Sequence, residues 1–485
     1  MNRIIALIIG ILLFSVISIK AQNTYQLLIS SPDNECVLDV IEYKPDYFVI
    51  VGVRNPKDNV YDRTSMLLKI KPDGDTTIRF LKINDSSLMI SKIIPYDNNF
   101  FVFGCLSPPL EFNDRFFIGE MDENFSLKWH KSYVLSDTNI FFQNMFVLNK
   151  KDGGYYSCFD ATDENYLTNT YFVNLDINGD TIETKKIPFS SGQNTTGFSY
   201  NADSTKLWLW GTWYSTQSSR GYRIEVDTSF VVQRVQTLPN DILNSINILW
   251  LNDTDIMVSG GYIRSSNPPD NDICIMKIDT SLSLNALQYY GLYDTIDYPA
   301  WNRNISCRTT DSIFFLGQLN NAIAFWPEEP SWIYAGIIDP QLHLLSEKRL
   351  GGDANYEPRN ILATSDGGCI ITAQRYDYKT QKYEYDIVII KLAADDFITE
   401  IKEDTICYAK EIKVYPNPGG NVIYINSTEK NARMFLYDLM GKIVLEKELS
   451  FGINAINATN LKSGIYCYRI VNFSGYIING KWFKI

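Results

Sequence analysis

The chain's capacity for acid–base chemistry is small, because its 485 residues include only two histidines, His130 and His343. His130 lies in Leu127-Lys128-Trp129-His130-Lys131 and His343 in Gln341-Leu342-His343-Leu344. These alternating patterns put each imidazole on the solvent side of an outer strand, and neither has a partner motif. No G-x-S-x-G, H-E-x-x-H or glycine-rich phosphate loop occurs, so acyl transfer, zinc hydrolysis and nucleotide chemistry lack their usual signatures. Carboxylates are plentiful, with 51 between residues 22 and 407. Two of them converging from separate loops would make a glycosidase-type acid pair, yet spacing along the chain does not bring them together. Asp176-Ile177-Asn178-Gly179-Asp180 resembles half a calcium loop. Its glycine is fourth rather than sixth and no glutamate stands twelfth, so it reads as a turn. Asp152-Gly153-Gly154 and Asp366-Gly367-Gly368 read as hairpin turns. The eight cysteines are scattered without C-x-x-C, most of them inside apolar runs such as 272–276. They read as buried free thiols, with room for one or two disulfides. No metal and no cofactor is expected.

The residues better suited to recognition are aromatic. The chain carries 66 Phe, Trp and Tyr. Many of these alternate along strands, but Trp213, Tyr214, Trp326, Trp332, Tyr376, Tyr378 and Tyr383 stand among polar and acidic residues in the segments 212–222, 319–332 and 374–385. A flat ring beside hydrogen-bonding acids suits a sugar or a peptide, and an exposed loop ring is costly without a partner. The competing expectation is that these rings fold back over the core.

The elements that must position them are repeated. Short apolar strands end at Gly52, Gly104, Cys158, Gly211, Gly260, Gly317 and Ala373, separated by 49 to 57 residues. A second apolar strand keeps the same step, as in Leu67-Leu68-Lys69-Ile70, Ile118-Gly119-Glu120-Met121 and Ile275-Met276-Lys277-Ile278, and five of its seven copies close with Asp. A four-stranded unit of about this length, apolar on both faces, cannot bury itself alone; stacking copies radially buries both faces. The expected fold is all-β: a β-propeller of about seven blades, six or eight being the margin, over residues 22–404. The strand 25–29 is placed to close the ring by pairing with the last blade. In a four-stranded antiparallel blade the loops between second and third strands all leave at one end, so the ring-bearing segments share a face.

The two ends of the chain carry addresses. Met1-Asn2-Arg3 followed by the apolar run 4–19 and Ile19-Lys20-Ala21 reads as a secretory signal peptide over 1–21, cut between Ala21 and Gln22. The run is shorter than the ~20 residues needed to span a bilayer, so no transmembrane segment is expected once it is removed. Residues 408–485 carry a net charge of +5, against −19 for residues 22–407, an asymmetry that marks a domain boundary. The acidity of the body disfavours a nucleic-acid partner. Short alternating strands between Gly and Asn turns make 408–485 a small immunoglobulin-like β-sandwich.

That last segment resembles the type A C-terminal sorting domain of type IX secretion cargo. Val414-Tyr415-Pro416-Asn417-Pro418 opens it, Leu436-Tyr437-Asp438-Leu439-Met440-Gly441-Lys442 forms the central hairpin, Leu461-Lys462-Ser463-Gly464-Ile465-Tyr466 a late strand, and Gly480-Lys481-Trp482-Phe483-Lys484-Ile485 the basic terminal strand. Lys481 and Lys484 are expected to stand exposed as a handle. The resemblance implies a Gram-negative source, passage through the periplasm, the type IX machinery as partner, and release or surface attachment. The body bears a loose resemblance to secreted bacterial propeller repeat proteins. The combined expectation is an exported or cell-surface propeller that binds a glycan or protein on its loop face. The alternatives are a polysaccharide hydrolase or lyase using the same mouth, or a passive scaffold.

Overall fold

A computed structural model describes residues 24–397 and 413–485, apart from 32, 55–62, 109–112, 136–139, 152, 164–167, 188–192, 215–218, 267–268, 322–325, 381–383, 428–431, 439–441, 451 and 472–476. The signal segment, its Ala21–Gln22 junction, Tyr383 and Gly441 therefore lie outside the described residues. The chain divides into two compact units, Met1–Thr399 and Glu400–Ile485.

Among the described residues the first unit contains seven antiparallel sheets in chain order, each a blade. Blade 1 consists of Asn34–Tyr43, Asp46–Arg54, Arg63–Ile70 and Thr76–Leu81, from the innermost strand outward. The six inner strands that follow are Ser87–Tyr96, Ile140–Asn149, Gln193–Tyr200, Ile242–Trp250, the split pair Tyr298–Pro299 and Ile305–Thr309, and Asn355–Ala363. Each inner strand touches the next, and Asn355–Ala363 touches Asn34–Tyr43, so the ring is closed. Closure is made by Tyr25–Ile29, which supplies the outer strand of blade 7 by pairing Tyr25 with Lys391 through Ile29 with Ile387. The second and third strands of each blade, apolar on both faces in the sequence, are buried between neighbouring blades as a series of core clusters. This is the seven-bladed propeller that the repeat predicts.

Two local devices recur. Asp122, Asp176, Asp227, Asp279 and Asp339 close the third strand of their blades, and one carboxylate oxygen of each accepts backbone N–H groups two and four residues on. The residue three places on takes a left-handed conformation: Phe125, Gly179, Phe230, Leu282 and Leu342. Four of these are large apolar side chains, and all four are buried. The half calcium loop at 176–180 is therefore one of a set of Asp-anchored turns. The inner strands carry the second device, a β-bulge, between Val37 and Asp39, Ile90 and Lys92, Phe142 and Met145, Thr195 and Gly197, Leu243 and Asn247, and Pro358 and Asn360. A bulge frees one backbone group and re-aims one side chain. Side chains from neighbouring blades take up amides at these bulges: Ser65 Oγ accepts from Ile90, Asp160 from Thr195, and Thr212 from Asn244.

The second unit packs the sheet Lys413–Tyr415, Val422–Ser427, Gly452–Asn457 against the sheet Ile443–Leu449, Ala432–Tyr437, Gly464–Val471, Ile477–Lys484. Ile423, Met434, Leu436 and Trp482 form its core. The Tyr-Pro-Asn-Pro motif acts as a clasp on the terminal strand. Asn417 donates Nδ2–H to Lys481 O (2.7 Å) and accepts Phe483 N–H (2.9 Å), while the Trp482 indole donates to Pro416 O (2.8 Å). Gly419 N–H donates to Phe483 O, and Ile485 N–H to Gly419 O. The clasp thus occupies backbone groups on the outer edge of the last strand, an edge that otherwise invites pairing with another chain. Gly480 is required by the packing, since a Cβ there would stand 2.3 Å from the Tyr468 hydroxyl. Gly464 is extended with open space around it. Tyr466 is buried and donates to Lys462 O, and Tyr415 stacks on Tyr424.

Lys484 corrects the sequence expectation. It is not a handle, being only 7% exposed, with Nζ donating to Ala458 O, Thr459 O and Asn421 Oδ1. Alternation along Ile477–Lys484 puts residues 482 and 484 on the inner face, and a long lysine stem crosses the core to reach carbonyls at its rim. Lys481 is exposed, as expected.

Candidate functional site

The inner wall of the ring is where chemistry-bearing side chains converge. Blade 6 differs from the rest because its inner strand is interrupted at 300–304. The inserted turn runs along blade 7, with Trp301 N–H donating to Pro358 O and both Asn302 and Arg303 N–H to Arg359 O. Its side chains reach past blade 7 to blade 1. Asn302 Nδ2 donates to Val37 O, and the Arg303 guanidinium to Val40 O and Asp39 Oδ1. Asp39 also receives Lys92 Nζ and the Ile93 amide from blade 2. One buried carboxylate therefore ties blades 1, 2 and 6 together, and burial draws the Lys92 ammonium below its usual range.

Above this hub the Trp301 ring is 51% exposed. The Arg359 guanidinium lies 5.7 Å from its centroid and is paired at 2.9 Å with Glu357. Glu357 in turn accepts a hydrogen bond from the Tyr385 hydroxyl, and burial together with that contact pushes the phenol far up. Trp326 stacks on Tyr385 at 5.1 Å and leans on Tyr376 at 5.0 Å. The result is a run of ring, guanidinium, carboxylate and rings from blade 6 across blade 7 toward blade 1.

Among the described residues the structure brings together two of the sequence candidates. Trp326 and Tyr376 meet, but Tyr376 is only 3% exposed, so it serves as packing beneath Trp326. Trp332 begins a strand rather than ending a loop, and it is half-buried against Gly352. Tyr378 is half-buried beside Lys379. Trp213 is exposed at the end of a blade 4 strand that also includes Tyr214. Trp301, Arg359 and Glu357 were missed. The available signal was the 57-residue step between Gly260 and Gly317, the longest in the series, which contains the extra turn.

The histidines take no part. His130 is exposed on an outer strand and stacks on Phe117. His343 lies in the Asp-anchored turn of blade 6 rather than in an alternating strand, its Nδ1 2.8 Å from Asp339 Oδ2. Asp272 and Asp297 do approach each other, since a Cβ on Gly291 would lie within 3 Å of an oxygen of each. Both are buried. Asp297 is filled by the Leu292 and Asn320 amides and the Thr295 hydroxyl, and Asp272 by Arg264. Their facing oxygens therefore lie within about 5.4 Å of each other, but Asp297 is committed to holding the blade 5–6 loop and the other Asp272 oxygen to Arg264. Among the described residues no group of three or more His, Cys, Asp or Glu is arranged to hold a metal.

Asp160 makes a separate prediction. Burial pushes its carboxyl up to about 6 despite bonds from Thr170 Oγ1 and Thr195 N–H. The folded chain then binds more protons than the unfolded one between about pH 4 and 6, so this residue's contribution to stability falls as pH rises through that window. At about 1.36 kcal/mol per pH unit, the loss is at most about 3 kcal/mol. Urea unfolding at pH 4.5 and 7 should show that Asp160→Asn removes this slope. An unchanged slope would assign it to other groups.

Residues 413–482 match the family model described as the secretion system C-terminal sorting domain. No curated protein matches the sequence. Solved structures similar to the chain include puromycin hydrolase (10% identity, 80% of this chain and 58% of that one, TM-score 0.46). A polysaccharide lyase PL25 ulvan lyase gives 8% identity, 76% and 96% coverage and a TM-score of 0.44. The propeller domain of the Trilobed protease from Pyrococcus furiosus gives 10%, 76% and 98%, and 0.42. The chain spans under three-fifths of the length of the puromycin hydrolase structure. Among the described residues no helix is long and apolar enough to cross a membrane. The clasped terminal sandwich and the family match together make this chain a seven-bladed propeller carried as type IX secretion cargo, secreted from or attached to the surface of a Gram-negative bacterium.

Proposed function

We propose that the propeller is an extracellular binding module that takes a carbohydrate against its inner wall, with Trp301 as the platform. The observation that carries this reading is the half-exposed Trp301 ring beside the Arg359–Glu357 pair. An indole face removes the apolar face of a pyranose from water, and a neighbouring guanidinium and carboxylate serve its hydroxyls as donor and acceptor. The strongly acidic body favours a neutral sugar over a polyanion. The alternative of a polysaccharide-cleaving enzyme draws on the Asp272–Asp297 approach, and the occupied, buried state of both carboxyls weighs against it.

The test is a glycan array probed with purified mature chain. Wild type should bind saturably, Trp301→Ala should weaken binding at least 10-fold, and Trp332→Ala should change it little. Binding that survives in Trp301→Ala moves the site to Trp213 or Trp326. An absence of glycan binding in the wild type turns the reading toward a protein ligand or a scaffold.

A further inference from the structure

The seam between blades 7 and 1 is held by backbone contacts centred on Glu35. Its N–H donates to Tyr385 O (3.0 Å), its carbonyl accepts Gln374 Nε2–H (2.7 Å), and Tyr385 N–H donates to Asn34 Oδ1 (3.0 Å). These bonds leave acceptor oxygens over. The Glu35 side chain is 1% exposed; its Oε1 accepts the Ser31 hydroxyl, and its Oε2 has no donor. Gln374 is 5% exposed and commits its amide nitrogen to Glu35 O, so its own Oε1 lies beside the same residue, also with no donor. The Asp386 carboxylate adds a second negative charge near Glu35. Among the described residues no lysine or arginine pairs with Glu35. A buried acceptor left bare costs free energy, and a buried unpaired charge costs more.

We propose that this seam is a calcium site, in which Glu35 and the Gln374 amide oxygen are ligands and Asp386 supplies the second charge. The donors are all oxygen, which selects hard cations over the transition metals. Magnesium retains several waters and insists on an octahedron, which a seam this closed does not offer. Calcium accepts irregular sets of carboxylate and carbonyl oxygens. The ion would staple the ring at the junction where its first inner strand meets its last blade.

The experiment uses the full mature chain stripped with EDTA. Calcium at 100-fold its dissociation constant should raise Tm by about 3–5 °C, and Glu35→Gln should abolish the rise. Terbium should give luminescence sensitised by Tyr385 and Trp326, displaced by calcium and lost in Gln374→Leu. Should Glu35→Gln fail to fold, terbium emission in Gln374→Leu and Asp386→Asn decides: loss supports the site and full retention in both overturns it. A wild-type Tm indifferent to calcium overturns it too, as does Glu35→Gln responding like wild type. A Glu35→Gln variant more stable than wild type at pH 8 in EDTA, with no calcium response in either, would replace the ion by a neutral buried carboxyl.

Discussion

A chain lacking residues 413–485 should accumulate in the periplasm as a folded propeller and be absent from the medium and the cell surface. The propeller has its own ring closure and cores, so truncation removes the address without removing the fold. The sharper form of the prediction uses the clasp. Trp482 is fully buried and its indole is bonded to Pro416 O. Replacing such a tryptophan with alanine costs about 3–5 kcal/mol, which matches the whole stability a domain of about 70 residues usually has. Trp482→Ala should therefore reduce export to nearly the level of the truncation. Asn417→Ala frees the terminal edge at 481 and 483 and should weaken export less, at about 1–3 kcal/mol. Lys484→Ala should behave like Asn417→Ala, because it strands the Ala458 and Thr459 carbonyls. Lys481→Ala should leave the fold intact. Cell fractionation with immunoblotting reads all four. Normal export of Trp482→Ala would show that the machinery reads an unfolded tail.

The second large effect concerns ring closure. Tyr25–Ile29 alternates, with Tyr25, Leu27 and Ile29 turned toward the blade 7–blade 1 core and Gln26 and Leu28 outward. Placing a charge at Leu27 puts an unpaired carboxylate into that core, so Leu27→Asp should cost about 2–4 kcal/mol and broaden the unfolding transition. Leu28→Asp, one residue along and 54% exposed, should stay within about 0.5 kcal/mol of wild type. Deleting 24–30 bares the edge of Asp386–Leu392 and should drive self-association through that strand. Calorimetry of the point variants and light scattering of the deletion measure this. Equal costs at Leu27 and Leu28 would mean that the strand does not lock the ring.

Fold and site were legible to different degrees, for different physical reasons. The blades were readable because each must bury both faces against a neighbour, which forces one apolar pattern to recur at one step. The anchoring aspartates were readable because the same turn needs the same carboxylate each time, at 122, 176, 227, 279 and 339. The closing strand at 25–29 followed from the need to finish the last blade.

The site was not readable, because it is built from departures from the repeat. The turn at 300–304 breaks one inner strand, and its partners are Pro358 and Arg359 from the next blade and Asp39 from the first blade, far along the chain. Which loop rings stand open is likewise a tertiary outcome. Trp326 and Tyr376 look alike among polar neighbours in sequence, yet Tyr376 lies beneath Trp326, where stacking of neighbouring blades sets blade 7 against the blade 6 loop. In the tail the sequence alone determined the motif and its destination. Only packing decided that Lys484, for all its charge, points inward to cap carbonyls while Lys481 faces water, because alternation along a two-sided strand puts positions three residues apart on opposite faces once one face is covered.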